Sequence, residues 1–376
     1  MKTKKLSAAY NPEVDFWKFF FAVIIFVFHS GGIINGGNPI KLGYLGVEFF
    51  FIVSGYFLAA KVRSDEARGV RTPTSEFMKR KISGIYRPFL AAFIIAFTTR
   101  CIAADLPFID TLKNLLLSLF EVLLVRMYGF PGYNMNNGPT WYISSMMIAM
   151  VMLYPLMAKY RRPFLRIACP VITLFFYGYY AQRANGIGFS PADKVSLLIF
   201  SGYTIRAFPG LCLGAFVNEC CALIKERKIR TTKAGCIVFA GAELLALAWI
   251  LFYMIFAYKL KWAAVCMYSM PAALAFFCFI VFSELTGIKR LLRGIDFSVF
   301  SKLSLYLYLS HRVILRLLDG KTQGMSNLKI YAIYIGLTLC SMALCRLLVF
   351  LFDLYTEKCS PKIKNLFRRE DVVIDF

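Results

Sequence analysis

The chain alternates long apolar runs with short polar blocks from end to end. Runs of about 18 to 22 residues each match the roughly 30 Å hydrocarbon core of a bilayer when coiled as a helix. Ten are predicted to cross: Val14–Ile34, Gly43–Ala60, Gly84–Ala104, Thr140–Ala158, Phe164–Ala181, Leu197–Val217, Ala234–Ala257, Trp262–Ser283, Phe300–Leu318 and Lys329–Tyr355. An eleventh stretch, Leu112–Tyr128, is apolar but interrupted by Glu121 and Arg126. An uncharged loop rich in Gly, Pro and Asn, Gly129–Pro139, follows it.

Whether the weak stretch crosses decides the orientation of everything after it. If it crosses, the block Lys159, Arg161, Arg162 and Arg166 falls outside the cell, against the positive-inside rule. The expected arrangement is therefore an all-α polytopic membrane protein with about ten transmembrane helices, one re-entrant or interfacial segment, and both termini cytoplasmic. Residues 1–355 form the membrane domain and 356–376 a basic cytoplasmic tail. Little chain remains for a soluble domain.

Composition agrees: 59% of residues are hydrophobic, 16% aromatic, and the mean hydropathy is +0.62, well above a soluble domain. The formal charge of +23 would suit nucleic acid, but Lys and Arg sit in blocks between apolar runs. That distribution reads as cytoplasmic loops, and no nucleic-acid partner is expected. The eleven cysteines include no CxxC pair, so neither a disulfide nor a metal is assigned. The first apolar run is too long for a cleavable signal peptide and lacks a small-residue cleavage site.

Chemistry is concentrated in a few intramembrane polar residues. The chain has only two histidines, His29 and His311, and both fall inside predicted spans. A titratable side chain at membrane depth is costly enough to be a functional candidate. Lys18 and His29 are eleven residues apart, about three helical turns, so they share one face about 16 Å apart. On the expected topology Lys18 lies near the cytoplasmic boundary, and His29 and Glu48 each lie about five residues inside the outer boundary by sequence count. His311 and Trp141 join them in the outer half. An imidazole oriented by a carboxylate is suited to deprotonating a hydroxyl that attacks an acyl carbonyl. Each residue also has a plainer reading. His29 could be a packing histidine, Glu48 a backbone partner near Gly46, and His311 a tie among Tyr306, Tyr308 and Ser310. Trp141 and Tyr142 could be interfacial belt aromatics, and Lys79–Lys81 a cytoplasmic anchor.

At these residues the sequence resembles the acyltransferase type 3 family of bacterial integral-membrane O-acyltransferases. The strings that carry the resemblance are Val14-Asp15-Phe16-Trp17-Lys18 leading to Phe28-His29-Ser30, and Gly43-Tyr44-Leu45-Gly46-Val47-Glu48 continuing to Tyr56. Phe77-Met78-Lys79-Arg80-Lys81, Thr140-Trp141-Tyr142-Ile143-Ser144, and Ser304 through His311 complete it. Lys18 stands where the family usually has arginine. The family's second basic-motif position falls on Gly84, with Arg87 nearby.

The resemblance implies transfer of an acyl group, with acetyl expected, from cytoplasmic acyl-CoA to a hydroxyl of an extracytoplasmic glycan or small acceptor at the plasma membrane. It implies His29 as general base and Glu48 as its orienting carboxylate. Lys18, Arg80, Lys81 and Arg87 would meet the donor phosphates, and Trp141, Tyr142, Asn136 and His311 would contact the acceptor. The expected surroundings are membrane lipids; the oligomeric state is left open. A lipid or polyprenyl-glycan transporter, or a non-catalytic membrane binding module, would also need many spans and intramembrane charges such as Arg206 and Arg312.

Overall fold

A computed structural model describes residues 11–125, 136–183, 196–229, 231–260, 263–285, 288, 292 and 295–359. The N-terminal basic tail, the loop residues through Met135, and 360–376, which make up most of the expected tail, lie outside the described residues.

Among the described residues, eight helices are long and apolar enough to cross a membrane. They are α1 (Pro12–His29, extended by a 3-10 turn to Gly32), α2 (Gly46–Ala67), α3 (Thr74–Ala103), α6 (Thr140–Lys159) and the continuous run Arg161–Arg183. The remaining three are α9 (Gly202–Glu226), α10 (Lys233–Leu260) and α13 (Asn327–Cys359). The run Arg161–Arg183 comprises α7 (Arg161–Pro163), a π turn (Phe164–Ala168) and α8 (Cys169–Arg183). Two further 21-residue helices, α11 (Ala263–Ser283) and α12 (Ser298–Leu318), complete the bundle. A two-residue hairpin pairs Ser196 with Ser201 just ahead of α9.

Local sequence sets these boundaries. Asn11 caps α1 by accepting from the Glu13 amide at 3.2 Å, and Pro12 occupies the first turn, where its missing N–H costs nothing. Helix α3 begins at Thr74, ten residues before the expected span. The basic cluster Lys79–Lys81 therefore stands on a helical extension of α3 rather than in a loop.

Among the described residues the weak stretch carries α4 (Phe108–Leu117) and a further turn α5 (Leu119–Val122). The ten residues of α4 rise about 15 Å, half a bilayer. Its faces are inverted relative to a soluble helix. Asn114, Ser118 and Glu121 are buried, while Phe108, Leu112, Leu116 and Leu119 are exposed.

The tightest contact in the bundle joins α2 to α9. Gly210 and Gly214 form a GxxxG pair on α9, and a Cβ at Gly214 would lie 1.8 Å from the Ile52 carbonyl oxygen of α2. A Cβ at Gly55 would lie 2.0 Å from the Leu211 carbonyl oxygen. Only glycine lets the two backbones approach this closely. Gly214→Ala is expected to push the helices apart at a cost of about 1–3 kcal/mol, readable as a lower unfolding temperature of the purified protein. An unchanged temperature would contradict the packing.

At the end of the bundle that carries the basic loops, Glu219 of α9 gathers Arg63 of α2, Arg161 and Arg166. Asp65 similarly holds Lys61, Arg68 and Thr72. Helix α12 packs along α1, α13 and α3.

Candidate active site

Helices α1 and α12 bring the chain's only two histidines face to face. The His29 and His311 rings stack with centroids 5.0 Å apart and planes 15° from parallel. His311 is wholly buried, and its Nδ1–H donates to the Leu307 carbonyl one turn back at 3.1 Å. A carbonyl can only accept, so in the neutral ring Nε2 carries the lone pair. That atom has no hydrogen-bond partner. His29 is half-buried and, among the described residues, touches the rings of Phe28 and His311 and makes no hydrogen bond. It ends α1, held by Ser30, whose hydroxyl donates to Val27 O at 2.7 Å and meets the Tyr331 hydroxyl of α13 at 3.1 Å. Phe26 stacks on Tyr334 at 4.2 Å, fixing the same face of α1 against α13.

Glu48 does not orient His29. Its carboxylate pairs with Arg206 of α9 at 2.7 Å and accepts from the Tyr177 hydroxyl at 3.1 Å, in full burial. The expected common depth fails because the connection after α1 turns back into the bundle. The 3-10 turn Gly43–Leu45 packs inside, Gly46 lies against Ile25 and Phe21, and Phe49 stacks on Phe21 at 4.3 Å. Phe21 is eight residues, about 12 Å, along α1 from His29. Arg206 lies under the rings of Trp141 (5.2 Å) and Tyr44 (5.7 Å), and Tyr44 contacts Phe28 at 5.3 Å. The charge pair thus stands behind His29, separated from it by two rings. Sequence reasoning noted Arg206 only as an intramembrane charge and missed its partner 158 residues away.

The acceptor-side residues divide. Tyr142 bonds Ser54 at 3.3 Å and faces Tyr308 at 5.8 Å, one turn from His311. Trp141 covers Arg206. Asn136, expected to offer its amide to a sugar, is instead buried: its Nδ2 donates to Ser118 at 2.5 Å and its Oδ1 accepts from Asn114 at 3.2 Å. The cause is Glu121, whose carboxylate accepts from the backbone amides of Asn136 (3.1 Å) and Asn137 (3.0 Å) and from the Thr140 hydroxyl (2.9 Å). This remote carboxylate ties the start of α6 to the half-membrane segment. Polar positions 114, 118 and 121, at helical spacing within an apolar stretch, were a sequence signal for that knot. Asn137 Nδ2 reaches Leu309 O at 2.9 Å and the Tyr308 hydroxyl donates to Pro139 O at 3.0 Å, so the knot also braces the turn that carries His311.

Three of the four expected donor residues, Lys18, Arg80 and Arg87, meet acids. Lys18 is buried 3.5 Å from Asp15 and 5.4 Å from the Phe57 ring centre. Arg80 pairs with Glu76 at 2.5 Å, and Arg87 with Asp353 of α13. Lys81 is half-buried, and Gly84 faces open space. A narrow apolar slot, with room of about 20 Å³, is lined by Val47, Phe50, Tyr142, Ile143, Ser304, Leu305 and Tyr308. Tyr308, 6.0 Å from His311 between ring centres, joins that slot to the histidine pair. Among the described residues no three of His, Cys, Asp and Glu gather as metal ligands.

A buried imidazole with an open nitrogen, a second and more accessible imidazole against it, and an adjoining apolar slot together suit proton transfer to and from an acylated group. A family profile described as an acyltransferase domain matches residues 11–347, nearly the whole chain. No curated protein and no solved structure matches the chain. The chain belongs to the acyltransferase type 3 family and is a membrane acyltransferase.

Proposed function

We propose that this enzyme transfers an acyl group, acetyl in the first instance, from cytoplasmic acyl-CoA to a hydroxyl of an extracytoplasmic glycan or small acceptor at the plasma membrane. The observation that carries this reading is the stack of His29 on His311, with the lone pair of His311 Nε2 left open inside the bundle. On this reading α11 and α12 are taken as crossings beside the eight longer apolar helices, and both termini are taken as cytoplasmic from the placement of the basic loops.

His29, the more accessible of the pair, takes the proton from the acceptor hydroxyl as its oxygen attacks the thioester carbonyl. The tetrahedral adduct then collapses, the C–S bond breaks, and the departing sulfur receives the proton from the His29 imidazolium. His311, pinned by Leu307, presents a neutral ring face to that imidazolium, a cation–π contact that exists only while the proton is held. The acyl end of the donor lies in the slot between Phe50, Tyr142 and Leu305. Lys18, Arg80, Lys81 and Arg87 supply positive charge toward the donor phosphates, after exchange of their present carboxylate partners where those are exposed.

Proteoliposomes loaded with a panel of methyl glycosides and given labelled acetyl-CoA outside test the reading. Labelled ester is expected inside the sealed vesicles. Ester found only outside, or none with folded protein, would count against it, as would glycoside movement without acylation, the result expected of a transporter.

A further inference from the structure

The corner between α6 and α7 carries basic residues that the chemistry above does not use. We propose that Lys159, Arg162 and Arg166 form a headgroup site for an anionic phospholipid, with its acyl chains along the outward face of the run Arg161–Arg183. The site goes beyond acyl transfer and stands independently of it.

Glu219 prepares it. The Glu219 carboxylate, 2% exposed, accepts from Arg166 Nε at 2.8 Å and from Arg161 Nη1 at 3.2 Å, and it also pairs with Arg63. Arg161 and Arg63 each reach a second, exposed acid, Glu66 and Glu226. Among the described residues Arg166 meets no acid other than Glu219, and it is 47% exposed. Held by Nε, its guanidinium can still offer its terminal nitrogens to the paired oxygens of a phosphate. Arg162 precedes it by four residues in one helical run, so the two side chains share a face with Cβ atoms about 6 Å apart. Lys159 ends α6 three residues earlier, within about 10 Å of Arg162 along the chain. Both are exposed, and among the described residues neither pairs with an acid. Arg166 also falls in the π turn Phe164–Ala168, a wider coil of the kind that recurs at functional sites.

The surface beyond the charges favours a lipid over a soluble anion. Ile167, Val171, Leu174 and Phe175 are 59–66% exposed and recur at one-turn spacing immediately after Arg166. They form an apolar stripe that faces the bilayer. Tyr160, also exposed, carries Lys159 Nζ 4.9 Å from its ring centre and sits at the polar end of the stripe, where membrane proteins place aromatic side chains. A phospholipid laid on the stripe brings its phosphate level with Arg162 and Arg166, and each basic residue nearby adds attraction for an anionic headgroup.

Native mass spectrometry reads the site without turnover. Delipidated wild type, mixed with equal amounts of phosphatidylglycerol and phosphatidylcholine of the same chain lengths, is expected to keep phosphatidylglycerol about tenfold more often. Lys159→Gln with Arg162→Gln should remove that preference and leave the unfolding temperature in phosphatidylcholine nanodiscs unchanged, because among the described residues neither side chain holds an acid. Arg166→Gln should also reduce the preference, and Arg166→Lys, which keeps the charge, should retain part of it. Equal retention of the two lipids by wild type would overturn the proposal, as would a preference that survives the double Gln change. Coenzyme A and inorganic phosphate, each given in place of lipid, test a soluble source. Equal binding of each by wild type and the double variant is expected and supports the lipid assignment. Binding that disappears in the double variant would hand the patch to a soluble phosphate and overturn it.

Discussion

His29→Ala should slow acyl transfer by about 10² to 10⁴-fold, the usual worth of a positioned general base. His311→Ala should cost rate as well on the proposed mechanism, in which the His311 ring stacked on His29 faces the imidazolium. The decisive feature is how the two losses combine. Residues that act as one unit are strongly non-additive, so the double variant should be little slower than the slower single variant. Were His311 only filler between Phe26 and Tyr308, its loss would act through stability and would multiply with that of His29. Unchanged gel-filtration profiles of all three variants would separate the chemistry from folding.

The second large effect concerns the buried ion pair. Arg206→Met leaves the Glu48 carboxylate without its principal partner, a change expected to cost about 3–5 kcal/mol of stability. Glu48→Leu combined with Arg206→Met should recover most of that loss, because two apolar side chains need no charge compensation. Unfolding of the purified variants in detergent measures both. The same pair of proteins assigns Glu48 its role. A stable double variant that still transfers acyl groups makes the ion pair a brace between α2 and α9, as its contacts indicate. A stable but inactive one would return Glu48 to the chemistry.

Apolar run length made the long helices legible, and the charges within the weak stretch set it apart from them. The motif strings were enough to point to the family. Depth was not legible. Counting residues from the end of a run assumes that each helix starts at the membrane surface, whereas the turn Gly43–Leu45 starts α2 beside Phe21 and Ile25. That error put Glu48 level with His29. Partnership across the chain was equally hidden. Helical period shows which face a residue occupies, but nothing in it says that Arg206 meets Glu48, that Asn136 is drawn inward by Glu121, or that His311 is the ring against His29. The rarity of histidine was the usable clue, since two intramembrane histidines in one chain invite the question of whether they meet.

The most direct measurement is single-turnover release of CoA from labelled acetyl-CoA, in the presence of a hydroxyl acceptor, by wild type, His29→Ala, His311→Ala and the double variant. A histidine pair working as one unit predicts loss in both single variants and no further loss beyond the slower one in the double. Wild-type release in His29→Ala, or losses that simply multiply, would contradict it.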